Sequence, residues 1–224
     1  FVCAPQGEGG RREQAAFFMQ FFMGGSMHVD IKMRGQDRQM FHSLLREGVE
    51  VLVRLGSTVR EVLEDDLHIP EQIIDQEIQS LFLNNHPVDD LGTRIQTQGS
   101  VLSLSAAMPG LVGACMRRGG AYAGLRQGIS WAEEEGPDQT ETGLIQVKLF
   151  NFMAPRIGPL LLSRGVQVEG WRLAQVLGNL SELEKDRIRS LQIDGEKLDI
   201  QSSTPAARIA EQEMVLLRVS SGGE

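Results

Sequence analysis

Two stretches of the chain decide its fold: IQSLFLNNHPVD at residues 78–89 and IRSLQIDGEKLD at residues 188–199. In both, aliphatic side chains alternate with polar ones up to an Asn-Asn or Asp-Gly pair. Such a pair tolerates the positive φ angles that a two-residue hairpin turn requires. Each stretch therefore predicts a strand, a tight turn and a second strand, and together they indicate an internal repeat.

Further matches extend the repeat on both sides of the hairpin. Three pairs of segments share a strand-like alternation: residues 29–33 with 145–149, 48–51 with 165–168, and 99–102 with 213–216. Each copy also has a helical pattern after its second strand. A capping box of Thr58 and Glu61 precedes the helix at residues 59–63, and an apolar stripe that begins at Trp171 predicts the other at residues 171–177.

The repeated order is strand, strand, helix, strand, short strand, strand, which predicts one helix packed across a mixed sheet in each copy. This is the order of a β-grasp domain. We therefore expect an α+β protein with two tandem β-grasp domains. The expected divisions are an aromatic and glycine-rich segment at 1–26, a first β-grasp domain at 27–109, a glycine-rich insert and acidic linker at 110–143, and a second β-grasp domain at 144–224.

Composition limits the classes of function. The chain has 224 residues, 41% of them hydrophobic, and a net charge of −8, which works against binding to the nucleic-acid backbone. No apolar run reaches the roughly 20 residues of a membrane-spanning helix, so we expect no membrane partner. Cys3 and Cys115 are the only cysteines, which favours a reducing compartment and a cytoplasmic location.

The N-terminal segment is rich in aromatic residues. Phe17, Phe18, Phe21 and Phe22 share one face of a helix, which predicts a short helix that docks on its own domain or on a second copy to give a homodimer. The alternatives are a signal peptide, which the missing small-x-small cleavage site disfavours, and an expression remnant that precedes Met27.

The second half of the first copy carries a resemblance to a known family. Residues 83–91, with Thr93 and the strand at 99–104, resemble the ubiquitin-like sulfur carriers, the family of the small subunit of molybdopterin synthase and of the thiamine-pathway carrier. The second copy resembles the same family at residues 145–150 and 215–223. The resemblance implies a β-grasp carrier that delivers sulfur for cofactor biosynthesis and has an adenylating enzyme as its partner.

The resemblance also implies a functional tail. In this family the tail ends in Gly-Gly, and its last carboxylate is adenylated and converted to a thiocarboxylate. Gly222 and Gly223 match these positions, and a tail without Cβ atoms can thread through a narrow channel. Glu224 departs from the pattern and would have to be removed first. The alternative is that these residues are simply a polar chain terminus.

The insert provides three candidate binding residues, Arg117, Arg118 and Arg126. They lie among glycines, whose backbone amides could help them to bind an anion or an acidic partner. Because glycine is a poor helix former, we expect a glycine-rich loop that is more exposed than either domain. The alternative is a solvated basic loop that balances the charge of the acidic linker.

Catalytic motifs are absent from the sequence. It has no G-x-S-x-G elbow, no phosphate-binding G-x-x-x-x-G-K-[ST] loop and no H-E-x-x-H pair, and its four histidines stand singly. We therefore predict no enzyme activity, no metal site and no cofactor. Two hypotheses remain: a sulfur carrier that acts through Gly223, and a non-catalytic β-grasp adaptor that binds another protein through its sheet faces and the basic insert.

Overall fold

The computed structural model of the protein describes residues 26–35, 38–129 and 141–222. These residues form one mixed sheet of ten strands with eight α-helices, so the α+β class is confirmed. The strands β1 to β10 are Met27–Met33, Val49–Arg54, Ser80–Leu83, His86–Pro87, Val101–Ser105, Thr142–Phe150, Val166–Glu169, Ile188–Ile193, Glu196–Leu198 and Met214–Ser221.

The helices include both of those predicted from the sequence. Helices α1 to α8 are His42–Glu47, Val59–Glu61, Glu71–Gln76, Gly110–Met116, Met153–Arg164, Gly170–Gly178, Glu182–Arg187 and Thr204–Ala210. The predicted helix at 59–63 is α2, continued by a π-helical turn at Val62–Asp66, and the helix at 171–177 is α6. The Thr58 and Glu61 capping box is present at the start of α2.

The tandem β-grasp arrangement is not confirmed, because a helix joins the first and second strands of each repeat. These helices are α1, between β1 and β2, and α5, between β6 and β7. The sequence pattern does not predict α5, because this helix contains Pro155, Gly158 and Pro159, residues that disfavour helix interiors. Burial of Ile157 and Leu161 stabilises the helix despite these residues.

The order of the strands interleaves the two repeats. Across the sheet the order is β4-β3-β5-β6-β2-β7-β10-β1-β8-β9. Strand β6, the first of the second repeat, lies between β5 and β2 of the first repeat. Strand β1 lies in turn between β10 and β8 of the second repeat. That residues 27–109 and residues 144–224 form two separate domains stays a prediction.

The two half-sheets meet at equivalent positions of the repeat. Glu50 of β2 pairs with Gln167 of β7 in an antiparallel bridge, and these residues occupy matching places in GVEV and GVQV. Burial, together with the nearby Glu169 carboxylate, raises the pKa of Glu50. Outward from this bridge, each half-sheet ends in one of the two hairpins.

The two hairpin turns make the same hydrogen bonds. Asn84 donates its N–H to the Val101 carbonyl oxygen at 2.9 Å, and its Oδ1 accepts the Val101 N–H at 2.8 Å. Asp194 donates to the His28 carbonyl oxygen at 2.9 Å and accepts the His28 N–H at 2.8 Å. Both turn residues have φ of 50°, so the predicted turn chemistry is confirmed.

The main core lies on one face of the sheet, beneath the helices. Helix α5 packs on β10 and β6, and α1 packs on β6 and α5. The other face carries a small apolar cluster of Leu52, Leu144 and Leu216. Along β6 the outward-facing residues, among them Gln146 and Lys148, are half-buried, which is typical of an antiparallel or mixed sheet with one open face.

A buried arginine joins the two repeats. Arg172 of α6 is 7% exposed and donates from Nη1 to the Gly48 carbonyl oxygen at 2.9 Å and from Nη2 to that of Leu44 at 3.1 Å. The carboxylates of Glu47 and Glu169 lie 3.0 and 3.2 Å from its guanidinium nitrogens. Arg172 therefore caps the end of α1, where it is a second donor to the Leu44 carbonyl oxygen besides the Gly48 N–H at 2.9 Å.

We expect Arg172→Met to lower the free energy of unfolding by about 2 kcal/mol, because the Gly48 carbonyl oxygen loses this donor and a buried acceptor without a donor costs roughly 1–3 kcal/mol, whereas the Leu44 carbonyl oxygen keeps the Gly48 N–H. Urea denaturation measures the change. The matched control is Arg208→Met, which removes the exposed ion pair with Glu196 and should cost less than about 1 kcal/mol. Equal losses in the two variants would contradict the bridging role of Arg172.

Candidate functional site

The insert that follows β5 is partly helical rather than a glycine-rich loop. Helix α4 occupies Gly110–Met116, and a 3-10 segment occupies Ala123–Ile129. The glycine-rich turn lies between them. At Gly113 a Cβ atom would overlap the Met108 carbonyl oxygen, so only glycine allows α4 to pack this closely on the preceding chain.

Arg126 anchors the insert from inside. Its side chain is 2% exposed, and its Nη2 lies 2.7 Å from Oδ1 of Asp89, two residues after β4. Its Nε donates to the Cys115 carbonyl oxygen at 2.7 Å, and its Nη2 to that of Arg117 at 3.5 Å. One guanidinium therefore joins α4, the 3-10 segment and the first repeat. Cys115, a free cysteine, is half-buried.

Arg118 and Gly119 provide the second attachment. The Arg118 N–H donates to the Gln79 carbonyl oxygen at 2.7 Å, and its Nη2 to that of Ile74 at 3.0 Å. The Gly119 N–H donates to Asp89 Oδ1 at 2.9 Å. Burial lowers the pKa of Arg118, although an arginine remains a cation at any ordinary pH. These bonds fix the turn of the insert to the first repeat.

The three arginines proposed as binding residues thus have different positions. Arg118 and Arg126 bind groups of this chain, whereas the side chain of Arg117 is exposed. Of the three, Arg117 has the guanidinium placed for contact with a partner. The sequence does not distinguish them, because the choice depends on the distant residues Asp89 and Ile74.

A polar cleft of about 420 Å³ lies beside the insert. Its lining residues are Thr58, Arg60, Asp75, Asp89, Asp90, Leu91, Gly92 and Arg118. Hydrogen bonds to the carboxylates of Asp75, at 2.8 Å, and Glu64, at 2.7 Å, raise the pKa of Arg60. Asp90 accepts the Gly92 N–H. Because these groups bind one another, the cleft is lined by a network of ion pairs rather than by acids and bases arranged for catalysis.

Exposed apolar side chains are concentrated at one end of the sheet. Seven large apolar residues of the described chain are at least half exposed. Six of them follow the ends of β5, β6 or β7, and we call these six the apolar end: Leu111, Val112, Tyr122, Leu125, Phe152 and Trp171. The seventh, Leu183, lies in α7, which leads into β8 from the opposite end.

Strand direction explains this concentration. Strands β5 and β6 are parallel, β6 is antiparallel to β2, and β2 is antiparallel to β7, so β5, β6 and β7 run the same way. The chain therefore leaves all three at the same end of the sheet. The bonds of Arg118 to Gln79, just before β3, and of Arg126 to Asp89, just after β4, keep the insert there.

The apolar end was not predicted from the sequence. Trp171 is 56% exposed, whereas the sequence pattern places it in the apolar stripe with Leu173 and Leu177, which are buried. The insert was the feature of the sequence from which the apolar end could have been predicted. Leu111 and Leu125 belong to neither repeat, so no sheet position accounts for them.

The proposed carrier tail begins inside the sheet. The Gly222 N–H donates to the Met33 carbonyl oxygen of β1 at 2.9 Å. The preceding Ser221 accepts a hydrogen bond from Arg38 Nη2 at 3.1 Å. A Cβ atom at Gly222 would lie 3.0 Å from the flexible side chain of Arg189, which would have to shift slightly to accept it.

Several predictions concern residues outside the described part of the chain. They are Gly223, Glu224, Cys3, the aromatic residues Phe17, Phe18, Phe21 and Phe22, and the acidic linker within residues 130–140. Among the described residues, no cluster of three or more His, Cys, Asp or Glu side chains could hold a metal ion. No helix of that part is long and apolar enough to cross a membrane.

No family model matches the chain, and neither a curated protein nor a solved structure matches it. The resemblance of residues 83–104, 145–150 and 215–223 to the sulfur carriers therefore stays a prediction from the sequence. The same holds for the cytoplasmic location.

We expect Arg126→Met to release the insert without unfolding the sheet, because Asp89 and the Cys115 carbonyl oxygen would lose their shared donor. Amide hydrogen exchange measures this directly. Exchange at Arg118 and Gly119 should accelerate about tenfold or more, while exchange at Leu104 of β5 stays unchanged. The control variant Arg117→Met should leave all three amides as they are. Slow exchange at Gly119 in Arg126→Met would show that Arg126 is not the anchor.

Proposed function

We propose that the protein is a non-catalytic module that binds another protein through its apolar end. The observation that carries this proposal is that six of the seven exposed large apolar side chains of the described residues follow strands that end at the same end of the sheet. Single exposed apolar residues are normal on a protein surface. A concentration of them in one region is typical of an interaction site.

The residue types of the apolar end support the proposal. Tyr122, Phe152 and Trp171 are aromatic, although aromatic residues make up only 5% of the chain. Aromatic side chains are enriched in protein interfaces, where they fill pockets of the partner and account for much of the binding energy. Their presence among the exposed residues favours a protein partner over a small polar ligand.

The residues of the apolar end belong to segments that are held in place by buried contacts and hydrogen bonds. Phe152 precedes α5, whose Ile157 and Leu161 are in the core, and Trp171 lies next to the buried Arg172. The insert is attached through Arg126 and Arg118. A surface that is already ordered loses little conformational entropy on binding, which favours affinity.

Gly222 gives less support to the carrier hypothesis. A carrier tail has to leave the sheet and thread extended into the active site of its partner enzyme. Gly222 is instead bound to the Met33 carbonyl oxygen at the end of β1. An adaptor needs no such tail, so the adaptor role fits these contacts better.

Charge substitution in the apolar end tests the proposal. The double variant Leu111→Asp and Leu125→Asp should reduce the recovery of cross-linked partner proteins about tenfold or more, because charges would have to be buried at the contact. Quantitative mass spectrometry after cross-linking in cells that express the protein measures recovery. The matched control is Leu183→Asp, an equally exposed leucine at the opposite end, which should retain the same partners.

The carrier hypothesis predicts a different result. With the protein trimmed to end at Gly223, an adenylating enzyme would release pyrophosphate from ATP. The double variant Gly222→Ala, Gly223→Ala would abolish this release. That result, or partner recovery that is identical in the Asp variants and the wild type, would overturn the adaptor proposal.

A further inference from the structure

We propose that the partner of the apolar end is an acidic peptide segment that also carries aliphatic or aromatic side chains, and that Arg117 binds one of its carboxylates. The inference rests on the proposed function and adds the chemical class of the partner. It depends on the charge of the insert, the exposure of Arg117 and the position of Arg117 among the apolar residues.

The part of the insert before the acidic linker carries only basic charges. Residues 106–129 contain Arg117, Arg118 and Arg126 and no acidic residue, while the whole chain has a net charge of −8. A basic surface on an acidic protein directs an acidic partner to that surface and repels it elsewhere. The basic charge of this segment therefore favours an acidic partner at the insert.

Arg117 is the arginine available for this contact. The charge of Arg126 is matched by Asp89 at 2.7 Å, and Asp75 and Asp89 lie near enough to Arg118 to interact with its charge. Arg117 is exposed, directly after α4. Its planar guanidinium can bind a carboxylate through two parallel hydrogen bonds.

The fold of the insert places Arg117 among the apolar side chains. Its carbonyl oxygen accepts hydrogen bonds from the Gly120 N–H at 3.1 Å and from Arg126 Nη2 at 3.5 Å, which close the turn between α4 and the 3-10 segment. Leu111 lies on the α4 side of this turn and Leu125 on the 3-10 side. Arg117 therefore lies at the turn that joins the two leucine-bearing segments.

An anionic membrane fits the same charges less well. A bilayer presents a wide negative surface, and the net charge of −8 would be repelled from it over the whole face of the molecule. A peptide segment contacts only the insert and its neighbours, Phe152 among them. We therefore infer a peptide, and lipid binding is one outcome of the test.

The first experiment selects partners without bias. The full-length protein is used to select binders from a displayed library of random 16-residue peptides, and binders to the Leu111→Asp, Leu125→Asp variant are removed. We expect the remaining peptides to be enriched in Asp and Glu together with Leu, Ile, Phe or Trp. Enrichment of basic or uncharged peptides would overturn the acidic class while leaving the interaction role in place.

The second experiment tests Arg117 with the most enriched peptide, labelled with fluorescein, by fluorescence anisotropy. Arg117→Glu should weaken binding about fivefold or more, and the wild-type affinity should fall as salt rises. Arg34→Glu is the matched control, since Arg34 is exposed after β1 at the opposite end of the sheet. Equal affinities of the wild type and Arg117→Glu would exclude Arg117 as the carboxylate-binding residue.

Two further outcomes distinguish failure of this inference from failure of the proposed function. If no peptide depends on Leu111 and Leu125 in the selection, both the inference and the proposed function fail. If phosphatidylserine vesicles sediment the wild type but not the Leu111→Asp, Leu125→Asp variant, and no peptide binds, the apolar end is a lipid-binding surface and the peptide inference is wrong.

Discussion

Neither repeat of this protein completes its half of the sheet with its own strands. Strand β6 of the second repeat fills the place between β5 and β2, and β1 of the first repeat fills the place between β10 and β8. Without the borrowed strand, rows of backbone N–H and C=O groups in the middle of each half-sheet would lack partners. Exchange of the first strands therefore makes the two repeats one sheet, and Arg172 adds hydrogen bonds between them.

The exchange also determines the proposed binding surface. Because β6 enters the first half-sheet parallel to β5, the two strands end side by side, and β7 ends at the same end of the sheet. The insert, Phe152 and Trp171 each follow one of these strand ends. A pair of independent domains would have no reason to bring them together, so the apolar end is a consequence of the interleaved topology.

Within the insert, the three arginines have two different roles. Arg126 and Arg118 are used to hold backbone carbonyls and Asp89, which orders a glycine-rich segment that has little helical propensity of its own. Arg117, next in the chain to Arg118, faces outward. Structural arginines thus hold a segment that exposes a charged residue and several apolar ones, and the proposed recognition of an acidic peptide rests on this arrangement.

The sequence by itself determined the α+β class, the two hairpins, the capping box at α2 and the presence of α6. These features depend on contacts between residues close in the chain, such as the positive φ angles of Asn84 and Asp194. Only the tertiary structure decided which strands pair, that α5 forms despite Pro159, and that Trp171 is exposed. Alternating strands of similar composition can pair in several orders, and the order is selected by burial of the whole core, which no local pattern encodes.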